Sequence, residues 1–301
     1  MIQTQLHERR ERVRTPSAGR HRETERAENF SGGFRALGEI AYRGAQVSAS
    51  VIDLRGGAPL VSIDDLIVLP TASIGKVLLL IETAARITAQ DFTGYGILDK
   101  TPEDSVGDSG VWRHLRAPSL PMSDLAALIG ATSDNLATNV LLRAIGLDAV
   151  RARSESLGLS RTALLDFVRD RRGPDDAPQL SVGSTAELAW LFSALSRGEV
   201  VDAVTSQRVL GWLSLNTDLS MVASAFGLDA LAHCDADQGI QLVNKTGTDA
   251  GVRSDVGIIR GPRASIAYAV TVQFDDTNLA TRLGILHAMR AFGYDLLEHV
   301  H

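Results

Sequence analysis

Three short segments carry residue types whose spacing suits covalent chemistry. Thr71-Ala72-Ser73-Ile74-Gly75-Lys76 opens a strongly apolar helical period and sets the Ser73 hydroxyl and the Lys76 amine three residues apart, on one helix face. A serine attacks a carbonyl carbon only when a base takes its proton, and an amine desolvated beneath Val77, Leu79 and Leu80 becomes such a base. The same residues also suit a serine cap followed by a lysine snorkelling from the next turn. Thr132-Ser133-Asp134-Asn135 lies between two helical periods, in a turn able to present a second hydroxyl and a carboxamide. In Asn244-Lys245-Thr246-Gly247-Thr248, Lys245 offers a fixed positive charge, Thr246 and Thr248 offer hydroxyls, and Gly247 lets a substrate approach a strand edge.

Each segment alone is ordinary turn or strand-end composition, but lysine usage sets two of them apart. Of 30 basic residues only three are lysines, Lys76, Lys100 and Lys245, so an ammonium is used sparingly and two of the three fall inside these segments. Gly107-Asp108-Ser109-Gly110 reads as a loop, and His233-Cys234-Asp235 lacks the second cysteine or histidine cluster of a metal site. No cofactor and no metal is implied.

The elements that must position these residues read as strands, then helices, then strands. Val47, Ala49 and Val51 alternate with Ser48 and Ser50, predicting a half-buried strand that turns at Gly56-Gly57 and returns over Leu60 to Ile63. Val256 to Ile259 and Ile266 to Phe274 give two late strands across Gly261-Pro262. Helical periods fall at Phe34–Ile40, Lys76–Ile87, Ser123–Ile129 with Ser123 as N-cap, Asn135–Ala144 closed by Gly146, Thr185–Leu195 and Leu279–Leu297. The expected fold class is α/β (α+β): an antiparallel sheet built from both chain ends, flanked by helices, with an all-helical insertion. Residues 1–28 are expected to be a charged flexible tail, 29–70 with 232–301 the sheet subdomain, and 71–231 the helical subdomain.

Composition narrows the function classes. With 45% hydrophobic and 22% charged residues over 301 positions, the chain is globular, and a net charge of −6 gives no basic footprint for nucleic acid. A single cysteine excludes an internal disulfide. The first 29 residues hold seven arginines and five glutamates but no apolar core, unlike a secretory signal. The apolar stretch Leu66–Ile81 is broken by Pro70 and Lys76 and falls short of a membrane span. A cytoplasmic protein acting on a small-molecule substrate, with no nucleic-acid or membrane partner, is the expectation.

In order and spacing, the Ser73–Lys76, Ser133–Asn135 and Lys245–Gly247 motifs resemble those of the penicillin-recognising serine hydrolases, in their class A β-lactamase-like branch, from about Val47 to the C-terminus. The resemblance implies a β-lactamase/transpeptidase-like fold. It makes Ser73 the acylated nucleophile and Lys76 a proton acceptor, with Ser133 and Lys245 relaying the proton to the leaving nitrogen. It gives Asn135 the substrate's side-chain amide, and assigns the oxyanion hole to the backbone N–H groups of Ser73 and Thr248. Thr246 and Arg253, beside Gly247, would meet a substrate carboxylate.

One departure stands out. Class A lactamases carry a glutamate in a loop before the helix at Thr185, where it aligns the deacylating water, yet Ser160–Ser184 contains no glutamate. Asp166, Asp170, Asp175 and Asp176 are the carboxylates there, and Asp166 or Asp170 could take the role at the cost of a shorter arm. The expected activity is therefore a serine hydrolase working through a Ser73 acyl-enzyme on a β-lactam, amide or ester, with atypical or slow deacylation. The alternative is a non-catalytic binding or regulatory protein that keeps the fold.

Overall fold

A computed structural model describes residues 30–301 apart from residue 92, so the expected tail over 1–28 lies outside the described residues. In chain order, helix α1 (Ser31–Tyr42) leads into the hairpin β1 (Gln46–Asp53) and β2 (Pro59–Ile63), then the short β3 (Leu69–Pro70). A 3-10 turn, Ala72–Gly75, runs directly into α2 (Lys76–Thr88). Strands β4 (Ile97–Asp99) and β5 (Ser119–Pro121) form a small hairpin before α3 (Met122–Thr132), α4 (Asn135–Ile145) and α5 (Leu147–Ser156). Strands β6 (Ala163–Leu164) and β7 (Ser181–Gly183) bracket the 160–184 loop, followed by α6 (Thr185–Arg197) and α7 (Ala203–Leu213). The chain closes with β8 (Gln241–Asp249), β9 (Val252–Arg260), β10 (Ser265–Gln273) and α8 (Leu279–Val300).

The antiparallel sheet has the order β2-β1-β10-β9-β8, so β1 from one chain end pairs with β10 from the other and β8 is left as an edge. Because side chains alternate along a strand, each strand feeds two cores. Val243, Val256, Ile258, Ala267 and Ala269 join the helical block around α2, α4 and α6, whereas Leu242, Ile259, Tyr268, Val270 and Val272 pack beneath α1 and α8.

Two readings need correction. β1 is buried on both faces, because α6 covers the serine side and Thr185 Oγ1 lies 2.6 Å from Ser48 Oγ, satisfying a hydroxyl that water would otherwise have to meet. α3 starts at Met122 after Pro121 and not after a Ser123 cap, since the N–H groups of Met122 and Ser123 donate to the carbonyls of Gly96 and Gly94 beside the β4–β5 hairpin. The Lys-Thr-Gly segment lies within β8, ahead of β9 and β10. Helices α5 and α7, each of one short amphipathic stretch, were not visible as periods; α7 is opened by Asp202, whose side chain accepts from Thr205 N–H.

Candidate active site

Ser73 sits in the tight turn ahead of α2, and the main chain there departs from regular geometry: Ala72 holds φ at 49°, in the left-handed region that costs a side-chain-bearing residue free energy. The turn is fixed from both sides. Ser181 Oγ donates to the Ala72 carbonyl at 2.6 Å, and a Cβ at Gly75 would collide with the Ser181 side chain. On the other flank, a Cβ at Gly247 would strike the Thr71 carbonyl and lie 3.2 Å from Ser73 N. Gly247 is therefore where the β8 edge presses against the serine turn.

Lys76, one turn into the core, is fully buried. Its Nζ contacts Asn135 Oδ1 at 2.6 Å, the Ser133 carbonyl at 2.7 Å and Ser133 Oγ at 3.2 Å. Burial first, then the charge of Lys245, push its pKa well below that of an ordinary lysine, against the attraction of Asp134 and Asp108. The nearest hydroxyl hydrogen-bonded to this amine is that of Ser133 and not Ser73. The two motifs are thus joined across 57 residues of sequence.

The Ser133 turn is built by Asp134. Its carboxylate caps α4 by accepting from Ala137 N–H and also accepts from the N–H groups of Val111 and Trp112, tying the 107–112 loop to the motif. Ser133 ends α3 at φ 54°, which aims its side chain back toward Lys76. A Cβ at Gly110 would run into the Asp134 carboxyl, and Gly110 holds φ at 115°, so that position requires glycine twice over. Lys245 is equally buried, donates to the Thr246 carbonyl at 2.6 Å, and has its pKa lowered to about 8 by burial against Asp218 and Asp255.

These segments line a two-chambered cleft, with Ser73, Ser109 and Thr248 facing both parts. One chamber, about 210 Å³, is hydroxyl-rich: Ser133, Thr246, Asn216 and Asp218 line it. The other, about 250 Å³, is closed by the 160–184 loop through Val168, Arg169, Asp170 and Arg172, with Asn135 beside them. The structure therefore brings Ser73, Ser133, Asn135, Thr246 and Thr248 to one cleft, with Lys76 and Lys245 buried in the motifs that wall it. It does not bring Arg253, which lines neither chamber: its guanidinium donates to the Asp249 and Val252 carbonyls and lies over the Phe274 ring. Asp108, Ser109, Asn216 and Asp218 are cleft residues that the sequence reading passed over, since nothing in a loop's composition shows which wall it joins.

The two loop aspartates differ: Asp166 is engaged through both oxygens, and Asp170 through one. Asp166 accepts from Phe167 N–H, from Arg169 Nε at 2.9 Å and from Arg172 Nη1 at 2.7 Å. Burial works to raise its pKa, but those hydrogen bonds outweigh it and hold the carboxyl below the ordinary range. Asp170 does reach the cleft wall, where Oδ1 accepts from Gly107 N–H at 2.8 Å. The loop residue held most firmly toward the cleft is Val168, whose peptide is gripped at both ends by the Asn139 carboxamide: Val168 N–H donates to Oδ1 at 2.9 Å and Nδ2 donates to the Val168 carbonyl at 3.0 Å. Among the described residues, no group of histidine, cysteine and carboxylate side chains could hold a metal, and no helix is long and apolar enough to cross a membrane.

Comparison with known proteins agrees with this geometry. The model of the β-lactamase enzyme family matches residues 34–300. The fold is shared with a β-lactamase from Sphaerobacter thermophilus at 25% identity and a TM-score of 0.77, over 89% of this chain and 96% of that one. It is shared too with PBP-A at 18% identity and TM-score 0.72, over 89% and 96% of the two chains. A β-lactamase from Xanthomonas campestris has 17% identity and TM-score 0.76, over 91% and 99%. No curated protein matches the sequence. With nearly all of the described chain inside the family model, this protein belongs to the β-lactamase enzyme family and is a β-lactamase-like serine hydrolase.

Proposed function

We propose that the protein acylates at Ser73 on a β-lactam, amide or ester and releases the acyl group slowly. The observation that carries this reading is the buried Lys76 amine, set against Ser133 and Asn135 with no carboxylate in hydrogen-bond contact to hold it charged. A neutral amine has two N–H donors and one lone pair. The short contacts to Asn135 Oδ1 and the Ser133 carbonyl use the donors, leaving the Ser133 hydroxyl, at 3.2 Å, to face the lone pair.

In this reading the Ser73 hydroxyl adds to the substrate carbonyl as its proton passes to the Ser133 oxygen and the Ser133 proton passes to the Lys76 lone pair it faces, and the Ser73 and Thr248 N–H groups receive the developing oxyanion. Collapse then breaks the carbon–nitrogen or carbon–oxygen bond, and the leaving atom takes a proton through Ser133, with the Lys245 charge alongside. With an open-chain amide or ester the acyl-enzyme and the released amine or alcohol together account for every atom of the substrate; with a β-lactam the ring opens and the nitrogen stays tethered in the acyl-enzyme. Asn135 and Thr246 hold the substrate's polar groups. A substrate carboxylate would find Asp218 lining the hydroxyl-rich chamber while Arg253 is engaged elsewhere, so recognition there rests on hydroxyls and on Lys245.

Slow release follows from the other chamber. On that wall the Val168 peptide is clamped by Asn139, Asp166 is held by two arginines, and Asp170 has one oxygen engaged with a backbone N–H. With no glutamate in the loop, activation of the deacylating water falls to the shorter arm of Asp170, one of whose oxygens is already engaged. Mixing the protein with a chromogenic cephalosporin and following intact mass tests the reading: a stoichiometric adduct on Ser73 with slow turnover is expected. Absence of any adduct with lactams and activated esters would reject it in favour of a ligand-binding role.

A further inference from the structure

A second cavity of about 600 Å³ opens away from Ser73, between α6, α7 and the first half of β8. Its wall includes two arginines and no aspartate or glutamate. One of them, Arg197, is already neutralised by Glu199 at 2.7 Å. The other, Arg260, is half-buried at the end of β9, opposite Gln241 in register. Its guanidinium donates only to neutral acceptors, Ser196 Oγ at 2.9 Å and Gln241 Oε1 at 3.3 Å, and among the described residues no carboxylate pairs with it. Withdrawing a cation from water without a counter-charge costs free energy, so a guanidinium oriented by two neutral groups at the back of a cavity is complementary to an anion from outside.

We infer that this cavity binds a small organic oxyanion, a carboxylate or phosphate whose oxygens are gripped by Arg260 and whose carbon skeleton rests on Leu210 and Val243. The apolar floor favours a ligand with an organic body, and Arg260's planar fork suits two-pronged recognition of either oxyanion. Gly211 of α7 lines the same cavity, and a Cβ built there meets nothing within 4 Å. A larger side chain at Gly211 would therefore fill the cavity without displacing protein atoms, and replacing a helical glycine favours the helix.

Cys234, the sole cysteine and exposed on the rim of this cavity, supplies the readout. The alkylation rate of Cys234 by N-ethylmaleimide is measured at fixed ionic strength with increasing sodium benzoate, inorganic phosphate or phenyl phosphate, and with benzyl alcohol as the neutral control. Calorimetric titration of the same anions runs in parallel. For benzoate or phenyl phosphate, saturable protection is expected, roughly tenfold at ten times the Kd. Benzyl alcohol should give none. Both signals should vanish in Arg260→Met and in Gly211→Leu and should be unchanged in Ser73→Ala, which separates this site from the proposed acylation. Protection by inorganic phosphate alone would reduce the site to a bare ion site and reject the organic ligand. Neither heat nor protection with any anion, or binding that survives in both cavity variants, would overturn the inference.

Discussion

The two walls of the cleft differ in how their charges are used. On the hydroxyl-rich side, two buried lysines stand without an ion pair, their amines hydrogen-bonded to carbonyls, a carboxamide and the Ser133 hydroxyl. On the 160–184 side, Asp166 is closed into a cluster with Arg169 and Arg172. Desolvated amines have lowered pKa values and give up their protons more readily than ordinary lysines, whereas a carboxylate held by two guanidiniums is a structural anchor with no proton to give or take. In the proposed reading, this contrast favours forming an acyl-enzyme over hydrolysing one.

Removing the nucleophile should have the largest effect. Ser73→Ala is expected to abolish the covalent adduct altogether in intact-mass measurements. Lys76→Ala should lower the acylation rate by ~10² or more, the loss expected for a positioned base, as read by stopped-flow mixing with a chromogenic cephalosporin. Val168→Glu attacks the contrast directly. With the Asn139 clamp holding residue 168 toward the cleft, a carboxylate there should speed deacylation by at least about tenfold and leave acylation nearly unchanged, measured by decay of the adduct mass.

The pH dependence sharpens the lysine side. Acylation in this mechanism needs Lys76 neutral and Lys245 charged. Since the Lys76 pKa is depressed, the rate should rise with pH through that lowered value, and then fall as Lys245 loses its proton near pH 8. Lys245→Ala removes the charge that helps depress Lys76, so it should shift the acid limb to higher pH as well as flatten the alkaline one. An acid limb that stays in place would show that burial alone sets the Lys76 pKa. The smallest effect belongs to Asp166→Asn. It should change acylation less than about twofold and cost on the order of 1 kcal/mol of stability, discounted for the partial exposure of its arginine partners, as read by thermal unfolding.

Much of this was legible in the residues themselves. Alternation in Ile266–Phe274 announced β10, and the apolar run after Lys76 announced α2, because burial on a strand or helix imposes its own period on the sequence. The loops were not legible. Gly107–Gly110 reads as a turn in any protein, and tertiary hydrogen bonds, from Asn135 N–H to the Ser109 carbonyl and from Asn135 Nδ2 to the Gly107 carbonyl, show that it forms a cleft wall. Arg253 shows the opposite failure: it stands next to the motif in sequence, yet Phe274 and two carbonyls claim its guanidinium.

Local chemistry in the chain sufficed to single out Ser73, its neighbouring amine and the hydroxyl-bearing turn as candidates, because residue identity, order and rarity are properties of the sequence. Which hydroxyl the Lys76 amine meets, across 57 residues, and which loop peptide the Asn139 carboxamide clamps, across 29, were decided by packing. Such choices depend on which group is buried beside which, and burial is defined only when the whole chain has folded.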